Sequence, residues 1–449
     1  MVWTSSRGAV GQRVRGRLVI RRSMGVFWLL FGINTLNYLD RLIAVAVGPT
    51  LKTTFHLSDN DIGMLSSAFL LIYTLAALPA GALADRLRAR ARVISIGVAV
   101  WSVFSGLTAL ARGYTGLFVT RALVGVGEAS YSPASVALLV NYFPPRRRAS
   151  IIGRWQAGQV LGALLAFIIA GLLYAWLPVS LAWRAAFLLT AAPGLVLAAL
   201  AWGVADHPPE SVVEPEVAPA AESTHGLRSL VAEAQAMARQ ARLALSIPMI
   251  WVVVALQALS FIVITPSVTF LPLYVQDARG PFHLNPSHAS FALGLTLVLG
   301  GFLGALLGGS LSDWLNGWLP GGRVLAVTIG FALAIPCYGL MLLTVSLPLF
   351  LVATALATLA LNLPAAALTA TPQDVAPPAV RATAIAVTML LAHLLGDIWA
   401  SWAVGSLSTA LHDHIGQALL LVGMPALALG CVISLLGARV YAHSRSAMG

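Results

Sequence analysis

The chain has 449 residues, of which 59% are hydrophobic and 10% are charged, and its formal net charge at pH 7 is +11. This composition excludes one water-soluble core, because so much apolar surface cannot be buried inside a chain of this length. The positive charge is concentrated in connections between apolar stretches, so we expect the lipid bilayer and not nucleic acid as a partner.

Twelve apolar stretches, separated by short polar connections, follow one another along the chain. Each has about the 20 residues that a helix needs to cross roughly 30 Å of hydrocarbon. Each must be helical, because lipid offers no hydrogen-bond partner to a free backbone group. We therefore predict an all-α polytopic membrane protein with twelve transmembrane helices, at residues 24–48, 61–83, 92–111, 115–140, 149–177, 183–205, 248–275, 288–313, 323–345, 348–371, 381–405 and 416–441.

Arginines accumulate in alternate connections, and the cytoplasmic connections of membrane proteins carry such an excess. Both termini are therefore predicted to be cytoplasmic, in a bacterial-type inner (plasma) membrane. The first apolar stretch is long and lacks a cleavage site, which favours a retained span over a signal peptide. The arginines concerned are Arg7, Arg13, Arg15, Arg17, Arg21 and Arg22 before the first span, Arg86, Arg88, Arg90 and Arg92 in the second connection, and Arg146, Arg147 and Arg148 in the fourth.

The sixth connection divides the chain. It begins with a proline-containing segment typical of a flexible linker, and it ends with residues 227–245, which we predict to form an amphipathic helix on the cytoplasmic surface. The predicted domains are a basic cytoplasmic arm at 1–23, an N-terminal six-helix bundle at 24–205, the linker with its helix at 206–247, a C-terminal six-helix bundle at 248–442, and a cytoplasmic tail at 443–449.

A short internal repeat indicates that the two halves are related. Residues 81–85 read GALAD and residues 309–313 read GSLSD, and each segment lies at the predicted cytoplasmic end of the second span of its half. Paired halves with matching segments are common in secondary transporters.

Longer motifs carry a specific resemblance. Residues 81–90 (GALADRLRAR) resemble the signature of the major facilitator superfamily, with Arg88 in place of a second glycine. Residues 37–41 (NYLDR), 121–131 (RALVGVGEASY), 381–384 (RATA) and 393–397 (HLLGD) are similar to the Spinster family within it, with Ser401 in place of a proline. The resemblance implies the major facilitator fold of two six-helix bundles, and proton-linked transport of lysolipids or sphingoid-type amphipaths by alternating access.

Asp40, Arg41, Arg121 and Glu128 are charged residues inside predicted spans, where each costs at least about 2.5–3.5 kcal/mol on insertion scales. Helix geometry places Asp40 and Arg121 at similar depths, and Glu128 two turns further along the fourth span. We predict that Asp40 and Glu128 are proton-coupling carboxylates, whose proton affinity is set by desolvation and by Arg41 and Arg121. The alternative is a static buried ion-pair network that fixes helix register.

Carboxylates at predicted cytoplasmic helix ends are candidates for gates, because they can accept hydrogen bonds from the free amides that begin a neighbouring helix. Asp85, next to Arg86, is predicted to cap the eleventh span near Ala382. Asp313 is predicted to cap the fifth span near Ser150. The alternative for each is a solvated helix end.

His393 and Asp397 are four residues apart and share one helix face, which permits either a coupling pair or a hydrogen bond across an interface. No further ligands accompany them, so no metal is expected.

Arg154 lies near the cytoplasmic end of its span, where it can attract an anionic headgroup or extend to the surface. The predicted cavity lining, with helix packing as the alternative for its aromatic members, is Asn37, Tyr38, Tyr131, Arg154, Trp155, Gln159, Gln257, Phe261 and Asn362.

These residues favour a secondary active transporter for a small-molecule or lipid-like substrate, with protons as the coupled ion. The alternative within that class is a broad-specificity drug or organic-ion/proton exchanger. An enzyme is not expected, because no nucleophile and base or metal cluster stands out, and neither is a cofactor. A receptor without turnover remains a separate hypothesis. No phosphate-binding loop supports ATP drive, and we expect a monomer.

Overall fold

The computed structural model describes residues 5–87, 89–206 and 227–446, apart from the side chains of residues 5–22, 78, 81–87, 149, 227–234, 236 and 443–446. Helices account for nearly all of these ranges, and no strand occurs in them. The first eight helices are α1 Ser5–Ala46, α2 Gly48–Phe55, α3 Asp59–Leu87, α4 Arg90–Thr108, α5 Tyr114–Tyr142, α6 Pro145–Trp176, α7 Val179–Trp202 and α8 Leu227–Leu245. The others are α9 Pro248–Gln276, α10 Pro286–Trp318, α11 Gly322–Leu343, α12 Leu347–Asn362, α13 Pro364–Val375, a 3-10 helix at Pro378–Val380, α14 Arg381–Leu395, α15 Asp397–Ala410 and α16 Ile415–Ser446.

Eleven spans within the described ranges are long and apolar enough to cross a membrane, and the total is twelve if one bent pair counts as a span. The pair is Ser23–Ala46 with Gly48–Phe55, bent by 46°. The predicted all-α membrane fold is therefore confirmed. The first span is not one straight helix, because Pro49 lacks the amide proton needed to continue the helical hydrogen bonds through this point.

Two later spans are interrupted where the sequence predicted continuous helices. The tenth changes from α12 to α13 at Leu363, directly before Pro364. The eleventh changes from α14 to α15 at Gly396, whose φ and ψ are −105° and −98°. A Cβ atom on Gly396 would lie 2.8 Å from the carbonyl oxygen of Ala258 on α9, so only glycine permits this close approach.

The chain packs into two compact units. Unit 1 comprises Met1–Ala44, Ile72–Ala166 and Arg184–Ser223, and unit 2 comprises Val45–Leu71, Phe167–Trp183 and Thr224–Gly449. The first unit therefore takes parts of α1, α3, α6 and α7, and the second takes the remaining parts of the same helices. The domain boundaries predicted from the sequence follow continuous segments, and they stay a prediction.

Glycines bring helices of unit 1 into backbone contact. On α6, a Cβ atom at Gly162 would collide with the carbonyl oxygen of Thr35 on α1. A Cβ atom at Gly127 on α5 would lie 2.8 Å from the carbonyl oxygen of Gly97 on α4. Small residues replace side-chain packing by backbone packing, which is a common way for helices to associate inside a bilayer.

The same device occurs in unit 2, where Gly300, Gly304 and Gly308 on α10 lie at four-residue spacing. Cβ atoms at these positions would contact the backbone or side chains of α12 and the residue after it. Four-residue spacing brings these glycines to one face of α10, where they permit close contact between the helices.

Ala205 and Asp206 form hydrogen bonds with α4 and α5 at the predicted cytoplasmic end of unit 1. The Asp206 carboxylate accepts hydrogen bonds from the backbone N–H groups of Arg90 at 2.6 Å and Ala91 at 2.9 Å. The Tyr142 hydroxyl donates to the carbonyl oxygen of Ala205. Asp206 therefore caps the start of α4 from a distant part of the chain, and satisfies amides that α4 itself leaves free.

Helix α8 has the bounds predicted for the amphipathic helix. Met237, Arg239, Arg242 and Leu243 are exposed on it. The hydroxyl of Thr383 on α14 donates to Gln240 Oε1 at 2.9 Å. The helix is thus attached to unit 2, and its position on the cytoplasmic membrane surface stays a prediction.

Candidate functional site

Helix α1 carries two adjacent charged residues that reach different partners. Consecutive residues on an α-helix point about 100° apart, because one turn takes 3.6 residues. Asp40 accordingly points towards α4 and α7, and Arg41 points towards α3. Helix α5 provides a partner for each residue, Arg121 for Asp40 and Glu128 for Arg41. Arg121 and Glu128 are seven residues, or about two turns, apart and so lie on one face of α5.

Asp40 is fully buried and its hydrogen bonds are satisfied. Its carboxylate accepts from the Ser105 hydroxyl on α4, from the Thr190 hydroxyl on α7 at 2.7 Å, and from Arg121 Nη1 at 3.3 Å. Only 1% of the residue is exposed. A buried charge needs such compensation, so this cluster ties four helices of unit 1 together.

Glu128 is equally buried but less completely bonded. Its Oε2 atom accepts from Arg41 Nη2 at 2.7 Å and from Arg41 Nε at 3.2 Å. Its Oε1 atom has no hydrogen-bond partner among the described residues. One oxygen of this buried carboxylate is therefore not used in any hydrogen bond within the described part of the chain.

Arg41 is the most accessible of the four charges, with 22% of its side chain exposed. Its guanidinium carbon lies 4.8 Å from the ring centroid of Tyr73 on α3 and 5.4 Å from that of Tyr38. Cation–π contacts of this kind fix a guanidinium plane without consuming all of its donors. Arg41 thus joins a buried carboxylate to the part of the site that solvent reaches.

Ser105, Thr190 and Tyr73 were not identified from the sequence. An isolated hydroxyl in an apolar span usually bonds a carbonyl of its own helix, and Thr190 does also donate to the Phe187 carbonyl at 2.9 Å. Nothing in the local pattern separates these residues from other polar residues of the spans. Only the packing of helices around Asp40 and Arg41 identifies them.

Tyr131 and Trp155 were predicted to line the cavity, and in this conformation they do not. They are 1% and 2% exposed. The indole N–H of Trp155 donates to the Tyr131 hydroxyl at 2.9 Å and to the Leu30 carbonyl at 3.2 Å, and the Tyr131 hydroxyl donates to the same carbonyl at 2.6 Å. Buried polar groups of aromatic residues need partners, and these partners join α1, α5 and α6.

The other predicted lining residues of unit 1 are placed differently. Asn37 is 5% exposed and its Nδ2 atom has no partner among the described residues. It lies one turn before Arg41, so both lie on one side of α1. Tyr38 and Gln159 are partly exposed, and Arg154 is exposed.

Unit 2 contains the predicted histidine and aspartate pair. His393 Nδ1 lies 2.8 Å from Asp397 Oδ2, although the helix is interrupted between them at Gly396. The imidazole stacks on Phe261, with ring centroids 4.7 Å apart and planes within 10°. Asp397 is 4% exposed and its Oδ1 atom has no hydrogen-bond partner among the described residues.

The two amides predicted for the cavity in unit 2 both have hydrogen-bond partners. Gln257 Nε2 donates to the sulfur of Met389 at 3.0 Å. Asn362 Nδ2 donates to the Thr358 carbonyl at 2.8 Å, within its own helix. Asn362 also lines a small, mostly apolar cavity of unit 2, together with Ser267 and Tyr338.

The side chains of the predicted gate residues Asp85 and Arg86 lie outside the described residues. Asp313 lies within them, is largely exposed, and pairs with Arg323 at 3.4 Å. Arg323 in turn lies 2.6 Å from Asp374. The gate role of all three predicted residues stays a prediction. No group of three metal-ligating side chains occurs in the described part of the chain.

Comparisons with known proteins agree with this architecture. Residues 30–401 match the family model described as Major Facilitator Superfamily. The hexuronate transporter of Bacillus subtilis is 31% identical over 201 residues, which are 45% of this chain and 46% of that protein. The galacturonate transporter of Dickeya chrysanthemi is 32% identical over 182 residues, or 40% and 51% of the two chains.

Spinster relatives appear in both the sequence and the structure comparison. Protein spinster homolog 1 of Xenopus laevis is 31% identical over 196 residues, or 43% of this chain and 36% of that protein. The chain thus spans about half or less of the length of the curated relatives it matches. A bacterial homolog of the human lysosomal transporter Spinster, solved in an inward-facing, unoccupied conformation, has a TM-score of 0.77 with 22% identity, and covers 95% of this chain and 97% of that one. At this identity the likeness shows the fold alone.

Proposed function

Because this chain belongs to the major facilitator superfamily, and is a Spinster-like integral membrane transporter, we propose that it moves a small amphipathic, lipid-like solute by proton-linked alternating access. The solute is of the lysolipid or sphingoid type. The protein is a transporter and not an enzyme. Its proposed setting is a bacterial-type inner membrane, with both termini cytoplasmic and the protein acting as a monomer.

The observation that carries the coupling proposal is the contrast between the two buried carboxylates of unit 1. Asp40 accepts three hydrogen bonds, one of them from Arg121, whereas Glu128 is bonded to Arg41 through one oxygen, and its other oxygen has no partner within the described ranges. A carboxylate that is fully bonded in its charged form resists protonation more than one with a free oxygen. We therefore assign proton binding to Glu128 and an anchoring role to Asp40.

Protonation of Glu128 removes the negative charge that holds Arg41 at 2.7 Å. The guanidinium then keeps its contacts with Tyr38 and Tyr73, and the donors that bonded Glu128 are released from it. Those donors can bind an anionic group of the solute, so solute and proton act on the same arginine. A ligand that favours one conformation shifts the equilibrium by its difference in affinity for the two, which couples proton binding to access.

The amphipathic character of the solute is supported by the surroundings of Arg41. A partly exposed guanidinium between two aromatic rings offers one charged contact and adjacent apolar surface. A headgroup with a phosphate or carboxylate fits the charge, and an acyl or alkyl chain fits an apolar wall.

A second candidate is an organic acid such as a hexuronate. Relatives from Bacillus subtilis and Dickeya chrysanthemi are named hexuronate and galacturonate transporters, and their solutes carry a carboxylate that an arginine can bind in a bidentate manner. This candidate uses Arg41 in the same way but needs hydroxyl-binding groups instead of an apolar wall. With an anionic solute of this kind, the protein would be an organic-ion/proton exchanger, which is the alternative given by the sequence.

The test is a flux assay in proteoliposomes with an imposed pH gradient. A lysolipid, a phosphorylated sphingoid base, a hexuronate and a cationic drug are compared, with protein-free vesicles as the blank. Flux of the lysolipid or the phosphorylated sphingoid base that follows the pH gradient supports the proposal. Flux of the hexuronate alone assigns the second candidate, and flux that ignores the pH gradient contradicts proton coupling.

The matched variant is Glu128→Gln, which keeps the shape of the side chain and removes the titrating group. We expect residual flux that no longer depends on the pH gradient. Asp413→Asn is the control, because Asp413 is half-buried beside Arg279 in a connection and takes no part in the site. Equal pH dependence in Glu128→Gln and in the control would show that Glu128 is not the coupling group.

A further inference from the structure

Helices α3 and α15 meet in unit 2 along a seam of small and polar residues. This outer seam, as we name it, comprises residues 59–67 and 401–409, at the side predicted to face outwards. A Cβ atom at Gly405 would collide with the Asp59 carbonyl oxygen, and one at Gly63 with the Ser401 carbonyl oxygen. The two helices are therefore in backbone contact at these glycines.

Polar contacts cross the outer seam along its length. The Ser408 hydroxyl donates to Asp59 Oδ2 at 2.7 Å, and the Ser406 hydroxyl donates to Asn60 Oδ1 at 2.7 Å. Further along, the backbone N–H of Trp402 donates to the Ser67 hydroxyl oxygen at 3.0 Å. These hydrogen bonds therefore contribute to the stability of the seam.

Asp59 is the charged centre of the seam. It is 0% exposed, and its Oδ1 atom accepts from Lys52 Nζ at 2.5 Å. Lys52 lies on α2 and 24% of its side chain is exposed, so the ammonium also reaches solvent. The buried carboxylate is thus held by a lysine from its own side of the seam and by a serine from α15.

We propose that Lys52, Asp59 and Ser408 form an outer lock, which holds the outward side of the protein closed and must open in every transport cycle. This inference rests on the proposed function, because alternating access requires residues of the two predicted bundles to separate on one side at a time. Residues 52 and 59 belong to the predicted N-terminal bundle, and residue 408 to the C-terminal one. Neither the motifs of the sequence nor the comparisons assign these residues a role.

The composition of the lock explains why it can open repeatedly. Desolvation offsets much of the attraction inside a buried ion pair, so hydrating the pair costs far less than its short distance implies. Water can replace each seam hydrogen bond at little net cost. A seam of interlocking large apolar side chains would instead expose apolar area in proportion to its size. A lock made of polar contacts therefore fixes the register of the two helices and can still open and close rapidly.

Within the described part of the chain, the hydrogen bond from the Ser408 hydroxyl to Asp59 Oδ2 is the bond of the lock that crosses the seam. Lys52 and Asp59 lie on consecutive helices of the same side, so their ion pair moves as one piece when α15 separates. Ser408→Ala removes the crossing bond, leaves the ion pair intact and changes the packing by one oxygen atom. It tests the lock without leaving Lys52 unpaired.

The experiment measures distances across the seam by pulsed electron paramagnetic resonance in nanodiscs. Spin labels are placed at Thr54→Cys and Ala410→Cys, two exposed positions on α2 and α15, after Cys337→Ser and Cys431→Ser. A hydrogen bond to a charged group is one of the stronger bonds in proteins. We therefore expect Ser408→Ala to raise the ratio of long to short distances about tenfold, and Asp59→Asn to raise it at least as much.

Asp61→Asn is the matched control. Asp61 lies at the same helix start as Asp59, but its carboxylate accepts only from the backbone and hydroxyl of Ser58, which is on the same side of the seam. An asparagine retains an acceptor for these bonds, so the distances should equal those of the parent. If Ser408→Ala also leaves the distances of the parent unchanged, the lock does not exist.

The distances are recorded without solute, which separates the lock from the proposed function. A distance shift in Ser408→Ala supports the lock even where no tested solute moves in the flux assay. Proton-linked flux together with unshifted distances overturns the lock and leaves the proposed function standing. Should Asp59→Asn fail to fold, Ser408→Ala alone decides.

Discussion

Arg41 Nη2 lies 2.7 Å from Glu128 Oε2, while Glu128 Oε1 has no hydrogen-bond partner among the described residues. The pair therefore joins a partly exposed cation to a buried anion that is only half bonded. Asp40, next to Arg41 in the chain, has the opposite character, because its three partners leave it fixed. The two adjacent charged residues of α1, Asp40 and Arg41, therefore lie in different environments.

Arg41→Lys should lower the apparent affinity for an anionic solute about tenfold, which corresponds to about 1.4 kcal/mol. An ammonium retains the charge, but it lacks the planar donors that pair with a carboxylate while lying against Tyr38 and Tyr73. The measurement is the solute concentration for half-maximal flux in proteoliposomes. Arg279→Lys, in an exposed connection, is the control. Equal affinities in both variants would argue against a role for the guanidinium plane.

Asp40→Asn should destabilise the fold by roughly 3 kcal/mol, because it removes the carboxylate charge beside the buried Arg121 guanidinium. The measurement is the free energy of unfolding in mixed micelles. Asp413→Asn, at an exposed ion pair, should change that free energy by less than about 0.5 kcal/mol. A loss in Asp40→Asn no larger than in the control would show that the Asp40 cluster does not anchor unit 1.

Gly162→Ala should destabilise unit 1 by about 1–3 kcal/mol, because the new methyl group would collide with the Thr35 carbonyl on α1. Gly153→Ala on the same helix has nothing within 4 Å of the added atom and serves as the matched control. Thermal unfolding in detergent compares the two. The contact between α1 and α6 would be looser than described if both variants unfold at the same temperature.

Asp206→Ala should cost about 1 kcal/mol, because the amides of Arg90 and Ala91 lose their acceptor. Hydrogen exchange at residues 90–93 should become faster, while exchange in the middle of α5 stays unchanged. Asp206→Asn keeps a side-chain oxygen and should exchange at nearly the rate of the parent. Unaltered exchange in Asp206→Ala would exclude the cap.

The sequence by itself determined the membrane fold, the spans and the candidate charges. A bilayer requires helices of about 20 apolar residues and makes charged residues inside them rare. The spans and the intramembrane charges can therefore both be recognised in the sequence. Helix geometry also indicated that Asp40 and Arg121 lie at similar depths, and the structure places them 3.3 Å apart. The bounds of α8 agree with the predicted amphipathic stretch, because an amphipathic helix leaves a periodic pattern in the sequence.

Only the tertiary structure decided which partners these residues have. The sequence could not identify Ser105, Thr190 and Tyr73, nor show that Tyr131 and Trp155 are buried, because a lone polar or aromatic residue in an apolar span has no periodic signature. The interruption at Gly396 and the bond between Ser408 and Asp59 likewise depend on residues far apart in the chain. Hydrocarbon and helical periodicity act locally, whereas hydrogen bonds between helices exist only after the helices have packed.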